Sequence, residues 1–257
     1  MSEIDLGRLV SHLNQYLRVN EFREGAVNGL QVAGKKRIKR VAFAVDGVLE
    51  TFRAAAAWGA DMLLVHHGIY WGFQYPLRGP DYQRVKTLMD ADMALYAVHL
   101  PLDAHGEVGH NVELLRALEV DPETLEPFGD YKGVSIGFQA RFPRQLTRDA
   151  VTERLERVLG GSVQLLPFGP EKVRSVACVT GQGADFALVR EAKIGGIHYY
   201  ISGEANHPIY HYAKENGVTV ALGGHYNTEV FGLHALRRYI EERFQLETLF
   251  IDCPTGM

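Results

Sequence analysis

Cysteine is scarce in this chain of 257 residues, which contains only Cys178 and Cys253. Two isolated thiols give no disulfide framework and no CxxC spacing, so the sequence predicts a protein of the reducing cytoplasm. Cys178 lies in the apolar run 176–179 and is expected to behave as a small buried hydrophobic residue.

Long apolar runs and an excess of basic charge are also missing. No apolar stretch approaches the roughly 20 residues that a membrane-spanning helix needs, and the acidic residues 1–5 lack the pattern of a signal peptide. The 27 Lys and Arg against 31 Asp and Glu give a net charge of −4, which argues against a broad nucleic-acid or membrane surface. The composition is that of an ordinary globular protein, 46% hydrophobic.

Strand and helix patterns alternate through the first half. Residues 6–17 predict an amphipathic helix with Ser2 or Asp5 as its cap. Strands are then predicted at 41–45, 62–65 and 94–98, with helices at 51–58 and 84–90. This alternation predicts a largely parallel sheet with helices on its faces. The second half repeats the plan from residue 173 onward, which indicates a weak internal duplication. Chance similarity between buried parallel strands is the alternative.

The segment that separates the two halves has a different residue pattern. Residues 134–142 alternate between apolar and polar, 147–159 predict a charged helix, and 162–168 return as a strand. The sequence therefore predicts an α/β fold of two interlocked, weakly duplicated α/β lobes with mainly parallel sheets and a small β-α-β insert. The expected boundaries are an N-terminal lobe at 1–125, the insert at 126–170 and a C-terminal lobe at 171–257.

Two adjacent histidines, His66 and His67, end an apolar run and are followed by Gly68. Neutral imidazole is the commonest metal ligand, and the carboxyl end of a strand is where open α/β sheets place their sites. Successive side chains of a strand point to opposite faces. Both rings therefore reach metal only if the strand twists or bends there.

Polar side chains also follow two later strands. His99 and Asp103 follow the predicted strand at 94–98, and His225 and Glu229 follow a strand predicted at 218–222. Each has a plainer interpretation alone, such as a turn former for Asp103 or a first-turn helix acid for Glu229. Their conjunction at strand ends favours a metal site. The set exceeds the roughly three protein ligands of a catalytic zinc and fits two metals better.

Four strings carry a resemblance to a known family: GADMLLVHHGIYW at 59–71, HLPLD at 99–103, GHYNTE at 224–229 and NGLQV at 28–32. They resemble the Nif-three-like dinuclear metal-binding family, the GTP cyclohydrolase 1 type 2 homologues, in the short bacterial form. The resemblance spans nearly the whole chain. It implies a two-metal site, with Glu229 bridging, whose ligands are His66, His67, Asp103, His225 and Glu229. It also implies a homohexamer, a ring of dimers.

The resemblance further implies two divalent metal ions per chain (Zn, Fe or Mn) and a small-molecule substrate. The expected activity is that of a hydrolase of GTP cyclohydrolase type, acting on a purine nucleotide or related heterocycle through a metal-activated hydroxide. Glu229 and His99 are the candidate catalytic residues, His99 as a partner that orients a ligand. Beyond the ligands, His99 and His105, no general acid or base is evident. A non-catalytic metal-binding assembly or regulatory protein is therefore the alternative.

Candidate substrate contacts follow the ligand motifs. Tyr70 and Trp71 come just after the histidine pair and can stack on a base, with ordinary packing as the alternative. Tyr226 stands where family members often carry a residue of His or Ser type, and so is a candidate at the mouth of the site. The loop 180–184 is expected to be an ordinary turn between strand and helix. A phosphate cradle is the weaker interpretation because the P-loop lysine is missing.

Overall fold

The computed structural model describes residues 2–73 and 75–257 and shows a mixed α/β protein. The helices in that part of the chain are α1 Leu6–Tyr16, α2 Leu49–Trp58, α3 Gly79–Asp90, α4 Leu100–Asp103, α5 His110–Ala117, α6 Arg148–Leu159, α7 Phe186–Ile194, α8 Ile209–Asn216, α9 His225–Thr228 and α10 Phe231–Phe244. The strands are β1 Ile4–Asp5, β2 Gly29–Val32, β3 Arg37–Ile38, β4 Arg40–Asp46, β5 Met62–His67, β6 Ala94–Ala97, β7 Asp121–Tyr131, β8 Val134–Thr147, β9 Gln164–Pro167, β10 Lys172–Cys178, β11 Tyr199–Ser202, β12 Thr219–Leu222 and β13 Glu247–Phe250. None of the helices in these ranges combines the length and the apolar character needed to cross a bilayer.

The chain divides into two compact units. The first contains residues 1–102 and 233–253, and the second contains residues 103–232 and 254–257. The chain therefore leaves the first unit and returns to it near its end. These boundaries differ from the segments expected at 1–125, 126–170 and 171–257. One reason is that strands within 126–170 share a sheet with the strands of residues 172–222.

The first unit is built on a five-stranded sheet in the order β13-β4-β5-β6-β2. All neighbours are parallel except β2, which runs antiparallel to β6. The central strands are almost continuously apolar and buried, as expected for parallel strands covered on both faces. The parallel register sets Asp46 opposite His67, so polar residues gather at the carboxyl edge of this sheet.

The second unit contains a six-stranded sheet in the order β7-β8-β10-β11-β12-β9. Strands β10, β11 and β12 are parallel at its centre, and antiparallel strands flank them. Ladders from β8 to β10 and from β9 to β12 tie the segment 126–170 into this sheet. The helix predicted after Thr147 is confirmed, and the Thr147 side chain accepts a hydrogen bond from the Ala150 N–H as its cap.

Both units contain the same succession of elements. In the first it is β4-α2-β5-α3-β6, in the second β10-α7-β11-α8-β12, with the three strands parallel and in the same order. The α/β class is confirmed, and this shared plan agrees with the duplication inferred from the sequence. The capping role of Asp5 is also confirmed, because its side chain accepts from the Arg8 N–H at the start of α1.

Candidate metal centre

Three histidines of the first unit lie together at the carboxyl edge of its sheet. His66, His67 and His99 each offer a ring nitrogen, and these atoms lie within 4.8 Å of one another. The ring centroids of His66 and His67 are 4.6 Å apart, although the two residues follow one another along β5. The two rings therefore approach each other closely, as the prediction that both bind metal requires. Three nitrogens at this spacing form a group that could hold a metal ion.

The rings of His66 and His67 are fixed through their Nδ1 atoms. His66 Nδ1 donates to the carbonyl oxygen of Val98 at 2.9 Å, and His67 Nδ1 donates to Asp46 Oδ1 at 2.7 Å. A carbonyl oxygen can only accept, so the Nδ1 of neutral His66 carries the proton and its Nε2 keeps the lone pair. Histidines that ligate metal show this arrangement, since a partner at one ring nitrogen fixes the tautomer and the ring orientation.

Glu24 holds His99 and was not predicted from the sequence. Its Oε2 accepts from His99 Nδ1 at 2.5 Å. Its Oε1 accepts from Asn28 Nδ2 at 2.7 Å and from the Leu100 N–H at 3.1 Å. Only 4% of the Glu24 side chain is exposed. The Asn28-Gly29 turn was visible in the sequence, but Glu24 carries no local signal that connects it with His99, 75 residues later.

His225 lies between two carboxylates in the second unit. Its Nε2 is 3.2 Å from Glu229 Oε2, and its Nδ1 is 3.1 Å from Glu204 Oε1. The hydrogen bond to Glu229 raises the pKa of His225 to about 9. Burial acts in the opposite direction, and the Glu204 carboxylate adds to the rise. Two carboxylates on one imidazole favour positive charge at this place, whether a proton or a metal cation supplies it.

The placement of Glu229 corrects one expectation. The sequence predicted it in the first turn of a long helix, whereas it closes the short helix α9, and α10 starts only at Phe231. The Thr228 hydroxyl donates to the carbonyl oxygens of Gly224 and His225, so residues 224–228 form a turn of their own. The i,i+4 spacing across that turn brings Glu229 to His225, and the carboxylate is buried.

Asp103 is buried in the second unit and is held by two polar residues. The Thr180 hydroxyl donates to Asp103 Oδ1 at 3.1 Å, and Asn111 Nδ2 donates to the Asp103 carbonyl at 3.1 Å. His110 offers a ring nitrogen within 4.8 Å of an Asp103 oxygen. The His110 Nδ1 accepts from the Gly232 N–H at 3.0 Å, so in the neutral ring Nε2 carries the proton. His110 is then a hydrogen-bond donor beside Asp103, and this role was not predicted from the sequence.

The loop 180–184 packs against the second-unit carboxylates. A Cβ added to Gly181 would lie 2.0 Å from Glu229 Oε1 and 3.2 Å from His225 Nε2, and Gly181 has a φ of +59°. The Gly181 N–H donates to the Thr228 hydroxyl at 3.1 Å. The amide of Gly181 is therefore bonded to the turn that precedes Glu229, which agrees with the interpretation of this loop as a turn.

The three predicted substrate contacts have different surroundings. The Trp71 ring is 5.2 Å from His99, edge to face, and its Nε1 donates to the Gly68 carbonyl at 3.0 Å. Tyr70 packs against the apolar core of the first unit. Tyr226 is only 4% exposed, which leaves it little surface to offer a substrate. Among these three residues, Trp71 has the placement that best suits a substrate contact.

The donor chemistry in both units fits a divalent cation. Imidazole nitrogen and carboxylate oxygen together suit Zn, Fe or Mn and do not select among them. His66, His67, His99 and His225 each have a carbonyl or carboxylate oxygen at Nδ1, which favours Nε2 as the ligating atom. Asp103 and Glu229 add buried oxygen donors.

Comparisons with known proteins give one consistent family. The model of the family described as Duf34/NIF3 (NGG1p interacting factor 3) matches residues 4–256. A protein described as GTP cyclohydrolase 1 type 2 homolog from Archaeoglobus fulgidus is 44% identical over 254 residues, covering 99% of this chain and all of that protein. One of the same description from Deinococcus radiodurans is 41% identical over 255 residues, covering 99% and 95%. The crystal structure of TTHA1606 from Thermus thermophilus has a TM-score of 0.87 at 35% identity, covering 99% and 100%.

Proposed function

The chain belongs to the Duf34/NIF3 family, and we propose that it is a dinuclear metal-dependent hydrolase acting on a purine nucleotide or related heterocycle. The observation that carries the proposal is the set of histidines whose Nδ1 atoms are held by carbonyl or carboxylate oxygens. That pattern is typical of metal sites. The description of the relatives as GTP cyclohydrolase 1 type 2 homologs supports a guanine nucleotide as the first substrate to test.

The proposed ligands are His66, His67, Asp103, His225 and Glu229, and Glu229 would be the ligand that two metals share. When bound, two divalent cations supply Lewis acidity and lower the pKa of water from about 15.7 toward 7. The role of the chain in this proposal is to hold these donors in place before metal arrives, through the hydrogen bonds from Thr180 to Asp103 and from His67 to Asp46.

His99 and Trp71 have roles beside the ligands in this proposal. Glu24 fixes the Nδ1 of His99, so Nε2 is the atom at which His99 can accept or donate a proton. The Trp71 ring lies edge to face against the His99 ring, with the centroids 5.2 Å apart, and only 23% of the His99 side chain is exposed. Restricted access of this kind strengthens electrostatic interactions inside a site.

The proposal extends to the oligomeric state of the protein and to its cellular compartment. We propose a homohexamer, a ring of dimers, in the cytoplasm. Light scattering coupled to gel filtration tests the assembly, with an expected mass of six times the 28.7 kDa chain. A mass of one or two chains at micromolar concentration contradicts it.

A second function is favoured by one observation. Asp46, Glu24 and Glu204, three carboxylates next to the histidines, each hold an imidazole Nδ1. This arrangement serves metal retention as well as turnover. A metal-binding assembly or regulatory protein without turnover is therefore the alternative function.

Metal content and turnover together test the two functions. We expect elemental analysis of protein purified without chelator to give about two metals per chain. Asp103→Asn and Glu229→Gln should lower that ratio and abolish the opening of the guanine imidazole ring of GTP, followed as release of formate. A ratio near zero after incubation with Zn, Fe and Mn contradicts both functions. A ratio near two with no turnover of GTP or damaged purine nucleotides favours the alternative.

A further inference from the structure

A pocket of about 360 Å³ lies in the second unit, beside the edge strand β9. Gln164 and Leu222 pair at the end of the β9–β12 ladder, and both line the pocket. Leu166 lies two residues further along β9, on the same face as Gln164. Tyr210 and His211, from the first turn of α8, also line the pocket. The volume falls within the range of about 300–1,000 Å³ that is usual for small-molecule sites.

Among the described residues, the lining of this pocket carries no Lys, Arg, Asp or Glu side chain. The N-terminal amides of α8 are also engaged, because the Ile209 and Tyr210 N–H groups donate to the carbonyl oxygens of Asn206 and His207. A phosphate or carboxylate normally requires a cationic side chain or available helix N–H groups. His207 and His211 are the lining side chains that can become cationic, and none of the described lining residues carries a permanent charge. The pocket, as far as these residues define it, therefore favours an uncharged ligand over an anion.

Three ring side chains, His207, Tyr210 and His211, line the pocket. The Tyr210 and His211 centroids are 5.3 Å apart at 84°, and those of His207 and His211 are 6.1 Å apart at 81°. Tyr210 is 43% exposed, so much of its ring is available for contact. Aromatic faces of this kind favour stacking or edge-to-face contact with another ring.

We propose that this pocket binds a planar, uncharged heteroaromatic ring. The aliphatic side chains of Leu166 and Leu222 contact the ring, and Tyr210 stacks on it. The carboxamides of Asn206 and Gln164 offer both donors and acceptors, which matches the alternating nitrogen and oxygen atoms at the edge of such a ring.

Two lining residues of the pocket lie close in sequence to the proposed ligand His225 and to its partner Glu204. Asn206 lies two residues after Glu204, whose carboxylate accepts from His225 Nδ1. Leu222 lies three residues before His225. A Cβ on Gly203 would lie 2.8 Å from the His225 Cα, so the residue that follows β11 lies against the backbone of His225. The assignment rests on the proposed function and gives the pocket the role of holding the base of the substrate.

Guanosine is the probe, because it carries the heteroaromatic base without phosphate. We expect calorimetry to show binding to the intact protein, and Tyr210→Ala and His211→Ala to weaken it about tenfold or more each. Tyr210→Phe keeps the ring and should bind guanosine nearly as well as the unchanged chain. Tyr82→Ala is the matched control, since Tyr82 is 48% exposed on α3 of the first unit, and it should change nothing.

Three outcomes overturn the assignment. One is that guanosine does not bind the intact protein. Another is that Tyr210→Ala and His211→Ala, shown to be folded by their melting temperatures, bind guanosine as tightly as Tyr82→Ala. The third is that inorganic phosphate or ribose 5-phosphate binds with the same dependence on Tyr210, which assigns the pocket to an anion.

Glu229→Gln separates this assignment from the proposed function. It should lose metal and turnover yet bind guanosine within about twofold of the unchanged chain, because Glu229 is not among the described residues that line the pocket. If turnover of GTP is absent while guanosine binding depends on Tyr210, the hydrolase proposal fails and the pocket assignment stands. If turnover is present and insensitive to Tyr210→Ala, the pocket assignment fails alone.

Discussion

Glu24 Oε2 lies 2.5 Å from His99 Nδ1, across 75 residues of sequence. The same carboxylate accepts from the Asn28 side chain and the Leu100 amide, so its position is fixed before it acts on His99. An ionised carboxylate has no proton to give, and the neutral ring must therefore carry its hydrogen on Nδ1. The relationship fixes one tautomer of the histidine that lies 4.9 Å from His66, ring to ring.

The first prediction concerns Glu24→Gln. The glutamine oxygen can still accept from Asn28 and Leu100, but its NH₂ group then faces His99 Nδ1 and forces the hydrogen onto Nε2. We expect metal-dependent turnover to fall by about 10–100-fold. Long-range ¹H–¹⁵N NMR of the histidine rings should show the change of tautomer directly.

Glu21→Gln provides the control for that substitution, because Glu21 pairs with Arg18 on the surface, away from His99. It should leave both turnover and the tautomer of His99 unchanged. An unaltered tautomer in Glu24→Gln, in a protein that melts at the normal temperature, would show that Glu24 does not position His99.

The second prediction concerns Asp46→Asn. Asp46 Oδ1 accepts from His67 Nδ1 at 2.7 Å, and the charge on the carboxylate raises the basicity of the ring. Removal of that charge should weaken metal binding by about 10–100-fold, as measured by competition with a chromophoric chelator. Asp90→Asn, which alters an exposed pair with Lys86, should leave the affinity as it was. Equal affinities in the two variants would remove Asp46 from the site.

Local sequence signals predicted the elements well. The apolar run before His66 and His67 predicted β5, which ends at His67. The charged helix predicted at 147–159 is α6, Arg148–Leu159, and Thr147 is its cap. Glu229 was misplaced because the helix expected to start after Asn227 or Thr228 starts only at Phe231, behind the short helix α9, and nothing in the local pattern marks that later start.

The residues that orient the histidines could not be predicted in this way. Glu24, Asp46 and Glu204 contact their histidines across 75, 21 and 21 residues. Each is an ordinary polar residue within its own segment, so no spacing rule connects it with its partner. Such contacts depend on the register of neighbouring strands, as with Asp46 opposite His67, and register is a property of the folded sheet.

The third prediction concerns the pH dependence of stability through Asp61. Burial raises the pKa of Asp61, but hydrogen bonds from the Lys39 amide, the Lys35 ammonium and the Arg40 amide outweigh it and hold the pKa below its ordinary value. A depressed pKa contributes stability that is fully present above the unfolded-state pKa, about 3.9, and is lost as pH falls through the lower folded-state pKa.

Asp61→Asn tests that contribution. At neutral pH we expect the free energy of unfolding to fall by about 1–3 kcal/mol, since the carboxylate accepts three hydrogen bonds. Urea unfolding across acidic pH should show the gap between the variant and the unchanged chain closing below about pH 4. A gap of constant size down to about pH 2 would mean that the ionisation of Asp61 makes no contribution to stability.

The fourth prediction compares two glycines with left-handed backbones. Gly181 has a φ of +59° and Gly160 a φ of +67°, so alanine at either position costs about 1–2 kcal/mol of backbone strain. A Cβ at Gly160 meets open space, whereas one at Gly181 would lie 2.0 Å from Glu229 Oε1. Gly181→Ala should therefore displace Glu229 and lower the metal-to-chain ratio, and Gly160→Ala should lower only the melting temperature. Elemental analysis and thermal unfolding of the two proteins measure both effects. A full metal complement in Gly181→Ala would show that Glu229 does not need its present position to hold metal.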